Sequence, residues 1–412
     1  MKNKKIKVIL GTIGFLFLAL FSVQNVYAAS GYAFSMGTNF GTNNIDTSKD
    51  ANYVNSLLKN MGYTAYKTVV PTSSVIDGTF SSGRKRLESD ILFLAGHANS
   101  STMYWNYLSK GKDYAQALRN NEFGICDSNW NYTGIGRYNM SNVDFAFFAG
   151  CETAKGSGNI TEYAKNRGAK TTLGWTVSVN DADAYAWEQK FFTKLKSGAT
   201  ISSAVNYANG FTYTTTTVKN TKLYGNTGAK INNVYELETM SIKNNDISEI
   251  YINEKLSDKT ISENQISNII ASKVNKQFDA ADFIVESAVN DDGIIYDYYL
   301  KINNIKTNIG YTVFTSNNVV TKIVDNMKNN EINSLKLAVN SKLSVKKTVD
   351  KELLKSKALE KVDYNYSTDV LEIYDDFMIY DVETGKTYYI VLVKATDPIF
   401  NTHSIISHKF EI

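Results

Sequence analysis

Two runs, ILFLAG at 91–96 and FAFFAG at 145–150, narrow the fold more than anything else in the sequence. Each is apolar at nearly every position, not at alternate ones. A strand built from such a run has to be buried on both faces, which is the condition of a parallel sheet covered by helices. The surrounding chain supplies the rest of that pattern. Further strands are expected at 32–39, 64–70, 169–179 and 221–226. Helices are expected at 48–61, where Leu57, Leu58 and Met61 share a face and Gly62 is a stop, near the basic segment 82–88, and at 158–168, 182–195 and 200–208. Residues 98–140 are polar, aromatic and dotted with glycine, and read as an excursion over the surface.

The texture changes after about residue 233, where Asn, Lys, Ile and Tyr dominate. A helix is expected from Ser262 to Gln277, opened by the capping-box pair Ser262 and Gln265. Apolar runs flank Asn290–Gly293 and again 383–386, which signals two hairpins. A second helix is expected over 352–361. A helix followed by antiparallel strands thus occurs twice, so 233–412 reads as a smaller α+β accessory region of two units, 233–330 and 331–412, behind an α/β domain at 29–232. With only Pro71 and Pro398 in 412 residues, no proline-rich linker marks the joint.

The N-terminus sets the compartment. Lys2, Lys4, Lys5 and Lys7 precede an apolar run from Val8 to Val23, and Val26-Tyr27-Ala28 offers small residues at a cleavage position. Residues 1–28 read as a secretory signal peptide, giving a secreted or cell-surface chain with no membrane span after cleavage. The alternative is an uncleaved anchor, since the run is near the lower limit for a span. Removing the segment takes four lysines from 44 basic residues, leaving 40 against 41 acidic ones. The apparent basicity belongs to the signal, and no basic face points to nucleic acid. Two cysteines, Cys126 and Cys151, are too few for a disulfide scaffold in a secreted chain this long.

In parallel α/β sheets, function gathers at the carboxyl ends of strands. ILFLAG delivers His97 to such an end, and FAFFAG delivers Cys151. Both follow Ala-Gly, which permits a sharp turn and a close approach of backbone to ligand. An imidazole beside a thiol forms a nucleophile with its base, and the backbone N–H groups nearby are candidate oxyanion donors. The competing reading is a small core cysteine and a satisfied histidine. No histidine lies near a second ligand at zinc spacing, and no cofactor is expected.

The motifs ILFLAGHANS and FFAGCETAKGSG resemble those of the CHAT family of caspase-like cysteine peptidases, relatives of caspases, gingipains and separase. Downstream, GAKTTLGW, an aspartate, a helix with paired Phe191 and Phe192, and KLYGNTGAKI resemble the rest of that domain. The resemblance is close over 88–232 and loose over 31–87. It implies a caspase-like, mostly parallel sheet with helices on both faces. It implies a cysteine endopeptidase acting on protein or peptide substrates, with Cys151 as nucleophile, His97 as base, and the N–H groups of Ala98 and Cys151 as oxyanion hole. The family usually carries glycine where Ala98 stands, which matters if that position needs a positive φ. Relatives place an acid in the substrate pocket near Asp181 and Asp183, where it favours a basic residue; either is also an ordinary helix-start aspartate. Cys126 is a bystander thiol or a partner that silences Cys151. Residues 235–412 resemble, weakly, the PepSY and propeptide-like domains of secreted bacterial peptidases, which implies intramolecular regulation; a spacer or adhesion module is the other reading. The expectation is a secreted cysteine endopeptidase, and the alternative a non-catalytic surface or binding protein on the same scaffold.

Overall fold

The computed structural model describes residues 31–39, 45–109, 112–119, 124–126, 138–231, 248–255, 263–275, 277–327, 332, 349–362, 370–396 and 401–412. The expected signal segment lies outside them. The protein is a mixed α/β molecule with, among the described residues, two sheets and seven helices.

The first sheet is built from β1 (Tyr32–Met36), β2 (Thr64–Thr68), β3 (Ile91–Ala95), β8 (Phe145–Ala149), β9 (Thr171–Trp175) and β10 (Thr221–Gly225), in the order β10-β9-β8-β3-β1-β2. All neighbours are parallel except β10, which runs antiparallel to β9. Helices α1 (Ser48–Asn60), α4 (Asp181–Lys196) and α5 (Ile201–Asn209) contribute to one apolar layer, with Ile91, Phe93, Phe145, Phe147, Leu173 and Trp175 facing Val54, Trp187, Phe191, Phe192 and Ala204. The alternate positions Leu92, Leu94, Ala146 and Phe148 face the other layer, which includes Ile76 of α2 (Ser73–Ile76) and Ile160 and Ala164 of α3 (Ile160–Asn166). Period-two alternation therefore feeds two cores, which is why the central runs carry no polar position.

Among the described residues the second sheet has twelve strands, and it takes members from both parts of the chain. Its path runs β11 (Ser248–Lys255), β15 (Val319–Asp325), β14 (Ile305–Ser316), β16 (Val370–Asp381), β17 (Lys386–Thr396), β18 (His403–Glu411), β4 (His97–Ala98), β5 (Thr102–Ser109), β6 (Lys112–Arg119) and β7 (Gly124–Cys126). Off this path β12 (Phe283–Asn290) pairs with β13 (Gly293–Ile302), and β13 with β14. Helix α6 (Glu263–Lys273) packs its Ile266, Ile269 and Ile270 in one cluster with β13 and β14, and α7 (Lys351–Lys361) places Ala358 beside β17 residues Tyr389, Val391 and Val393.

Three local readings of the sequence change. The stretch read as an excursion holds strands β4–β7, which extend the second sheet. Near 82–88 only a three-residue 3-10 turn, Arg86–Glu88, forms, because Gly83 at φ 84° breaks the path and Arg84 is held by both oxygens of Asp90 at 2.9 and 2.8 Å. The strand read over 169–179 stops at Trp175; the chain then swings toward the strand ends, with the Thr176 N–H donating to Asn220 O at 2.9 Å.

Candidate active site

Strands β3 and β8 are neighbours, and their register pairs Ala95 with Ala149. His97 and Cys151 each stand two residues beyond those paired alanines, so the topology carries both to one edge of the sheet. The glycines between make the approach close. A Cβ on Gly150 would stand 2.6 Å from the Cβ of Ala98 and 2.8 Å from Gly96 O, so any side chain there would push the two strand ends apart. After Cys151 the backbone turns through Glu152 at φ 61°, a left-handed conformation uncommon outside glycine, asparagine and aspartate. Thr153 then returns its hydroxyl to the carbonyls of Phe148 (2.8 Å) and Gly150 (3.2 Å), satisfying the open end of β8. The Cys-Glu-Thr sequence is thus a strand terminator with a thiol at its apex.

Both reactive groups are covered: Cys151 is 2% exposed and His97 1%. The Val179 N–H donates to Cys151 Sγ at 3.4 Å, and the backbone N–H of Ile405 also faces that sulfur. Burial pushes the thiol up to about 12, against these two N–H groups, which favour the thiolate; Glu152 adds to the upward shift. The neighbouring Ser404 places Oγ 2.7 Å from Nδ1 of His97. His403 pairs in register with Ala98, and its Nε2 lies 2.7 Å from Ser178 Oγ and 3.8 Å from Glu152 Oε1. Burial lowers this imidazole to about 4. Serine and glutamate approach the same ring nitrogen, so Ser178, His403 and Glu152 do not form a serine triad, which needs the acid on the other nitrogen.

Beside the thiol lies a cavity of about 30 Å³, lined in part by Asp50, Asp181, Glu188, Ser404 and Ile405. Asp181 forms an ion pair with Lys49 at 2.9 Å. Asp50 and Glu188 are buried, and burial holds both well above the usual carboxylate range, with repulsion from Asp181 adding to the shift of Asp50 and repulsion from Asp50 and Asp181 to that of Glu188. Asp50 Oδ1 and Glu188 Oε2 have no hydrogen-bond partner among the described residues. Asp183 turns elsewhere: it accepts from the N–H groups of Thr214 and Thr215, both at 2.9 Å. The helix start itself is capped by Asn180, which accepts from the Asp183 N–H.

Ala98 is not among the residues with positive φ, so alanine carries no left-handed strain there. Cys126 lies in β7 and its side chain falls outside the described residues, but Cys151 is a free thiol, so the disulfide that would silence it is not formed. Reading along the sequence misses five contributors to this edge. His403, Ser404 and Ile405 arrive from the far end of the chain. Glu188 reads as one more polar position on a helix. Asp50 carried a faint signal as an acid in the first turn of α1. No protein-family model and no curated protein matches this chain.

Proposed function

We propose that the chain is a caspase-like cysteine endopeptidase in which Cys151 attacks the scissile carbonyl and His97 moves the protons. The reading is carried by the register of β3 and β8, which presents an imidazole and a thiol at equal distances beyond a paired position. The imidazole takes the thiol proton, and the thiolate bonds to the carbonyl carbon. The oxyanion faces the N–H groups of Ala98 and Cys151. The protonated imidazole then gives its proton to the leaving amine, and water, deprotonated by the same ring, hydrolyses the thioester and frees the thiol. Substrates are peptides with a lysine or arginine before the cut. Asp50, Asp181 and Glu188 wall the cavity beside the sulfur, and two of their buried oxygens lack partners that a cationic side chain would supply.

A peptide library offered to the full chain at high protein concentration tests this. Cleavage after Lys or Arg is expected, lost by about 10³-fold or more in Cys151→Ala, with the basic preference weakened in Glu188→Gln. Cleavage that survives Cys151→Ala sinks the reading. The buried thiol favours a second one, a non-catalytic binding protein on the same scaffold; it predicts no cleavage under any condition.

A further inference from the structure

The cavity beside Cys151 has room for about one water molecule and no substrate side chain. The remaining space is filled by the protein's own chain. Asn401 O accepts from Asn99 Nδ2 at 2.9 Å, His403 pairs antiparallel with Ala98, Ser404 Oγ sits on the imidazole of His97, the Ile405 N–H faces the Cys151 sulfur, and Ile405 bridges in parallel to Asn180. An extended backbone thus crosses both reactive groups, held by strand-type contacts on either side. A peptide presenting a carbonyl to the thiol would need that same path.

We infer that residues 403–405 of β18 are a built-in plug, which keeps the site latent while docked and turns it on when displaced. The inference rests on the reading of Cys151 and His97 as the reacting pair. Ser404 Oγ occupies Nδ1 of His97 and the Ile405 N–H faces the sulfur, so the plug engages both the ring and the thiol through hydrogen bonds. It also fits the cavity without satisfying it. Neither Ser404 nor Ile405 is cationic, and Asp50 Oδ1 and Glu188 Oε2 remain unpartnered behind them. A basic substrate side chain therefore competes for the seat with an interaction the plug does not make.

Iodoacetamide labelling of Cys151, followed by peptide mass spectrometry so that Cys126 is read separately, tests the plug in the full chain. Native Cys151 is expected to label far more slowly than in guanidinium. Ile405→Asp sets a carboxylate among Asp50, Asp181 and Glu188, and is expected to raise the labelling rate about tenfold or more; cleavage of basic peptides rises with it. If Ile405→Asp shows no cooperative urea transition, Ser404→Gly carries the test with the same expected direction. Faster labelling with no cleavage shows that β18 covers the thiol but sinks the peptidase, and with it the latent activity. A folded variant that labels at the wild-type rate overturns the plug, as does native Cys151 labelling like a free thiol. Wild-type cleavage as fast as that of the variants overturns the plug and leaves the peptidase standing.

Discussion

Gly150 and His403 show how differently single residues announce themselves. Gly150 follows an apolar run and precedes a cysteine, so its place at a strand end was readable, and the 2.6 Å gap to the Ala98 Cβ gives the reason for glycine. His403 sits in a β-rich run 306 positions after His97, where nothing periodic or local marks it as belonging to the same edge. Its environment makes a prediction. Burial brings the ring from its ordinary 6.5 to about 4, Glu152 pulls upward, and Lys394, His97 and Lys155 press downward. Ser178 is its close neutral partner. The folded state therefore binds fewer protons than the unfolded one. The His403 contribution is intact above about pH 6.5 and drains away as the pH falls toward 4, by up to about 3 kcal/mol. Urea unfolding at pH 7 and pH 4.5 should show this loss shrinking in His403→Gln. His408, also lowered to about 4 by burial, remains in both proteins and drops out of the comparison. Equal losses in the two would refute the assignment.

At the scale of elements, the central strands were legible because burial on both faces leaves no polar position to confuse them. Strand β5 mixes aromatic with uncharged polar residues (TMYWNYLS) and β6 carries charges (KDYAQALR), so neither alternation nor a continuous apolar run marks them. Strands β14 and β15 had a signal that periodicity does not capture. The Asn303-Asn304 and Asn317-Asn318 pairs hold φ values of 52°, 62°, 48° and 61°, the two-residue left-handed turns that suit a hairpin's twist. Asn318→Ala should cost about 1 kcal/mol, whereas Asn318→Gly should be neutral within a few tenths. Urea midpoints would measure both, and an alanine without cost would mean that the turn relaxes in solution. The strands also rank the joints around the plug. β18 shares nine paired positions with β17 and one with β4. Opening therefore runs along the β18–β4 joint, with β18 leaving still attached to β17.

Across the whole molecule, the change of texture near residue 233 is plain in the sequence, yet the second sheet crosses it, joining β4–β7 to β11–β18. What ties the two parts is polar as well as apolar. Lys219, just before β10, meets Asp297 of β13 at 2.6 Å with both side chains fully buried, and Asp297 also accepts from Thr312 (2.6 Å) and Thr216 (3.1 Å). Nothing in the sequence pairs these residues, since a lone lysine and a lone aspartate 78 positions apart read as solvated charges. Asp297→Ala strands a buried ammonium and should lower stability by about 3–5 kcal/mol, while Lys219→Met with Asp297→Leu should recover most of it. Urea unfolding of the two variants beside the parent distinguishes a buried pair from an incidental one: if Asp297→Ala costs under about 1 kcal/mol, the pair is not holding the parts together.

The order of these parts along the chain has a temporal consequence. The acidic walls of the cleft, Asp50, Asp181 and Glu188, are all translated roughly 200 residues or more before β18, a lag of at least about ten to forty seconds at usual ribosomal speeds. Among the described residues, every strand of the first sheet is complete by Gly225. A nascent chain therefore exposes an assembled thiol and imidazole before the segment that covers them exists. The cover docks late, onto a seat already formed.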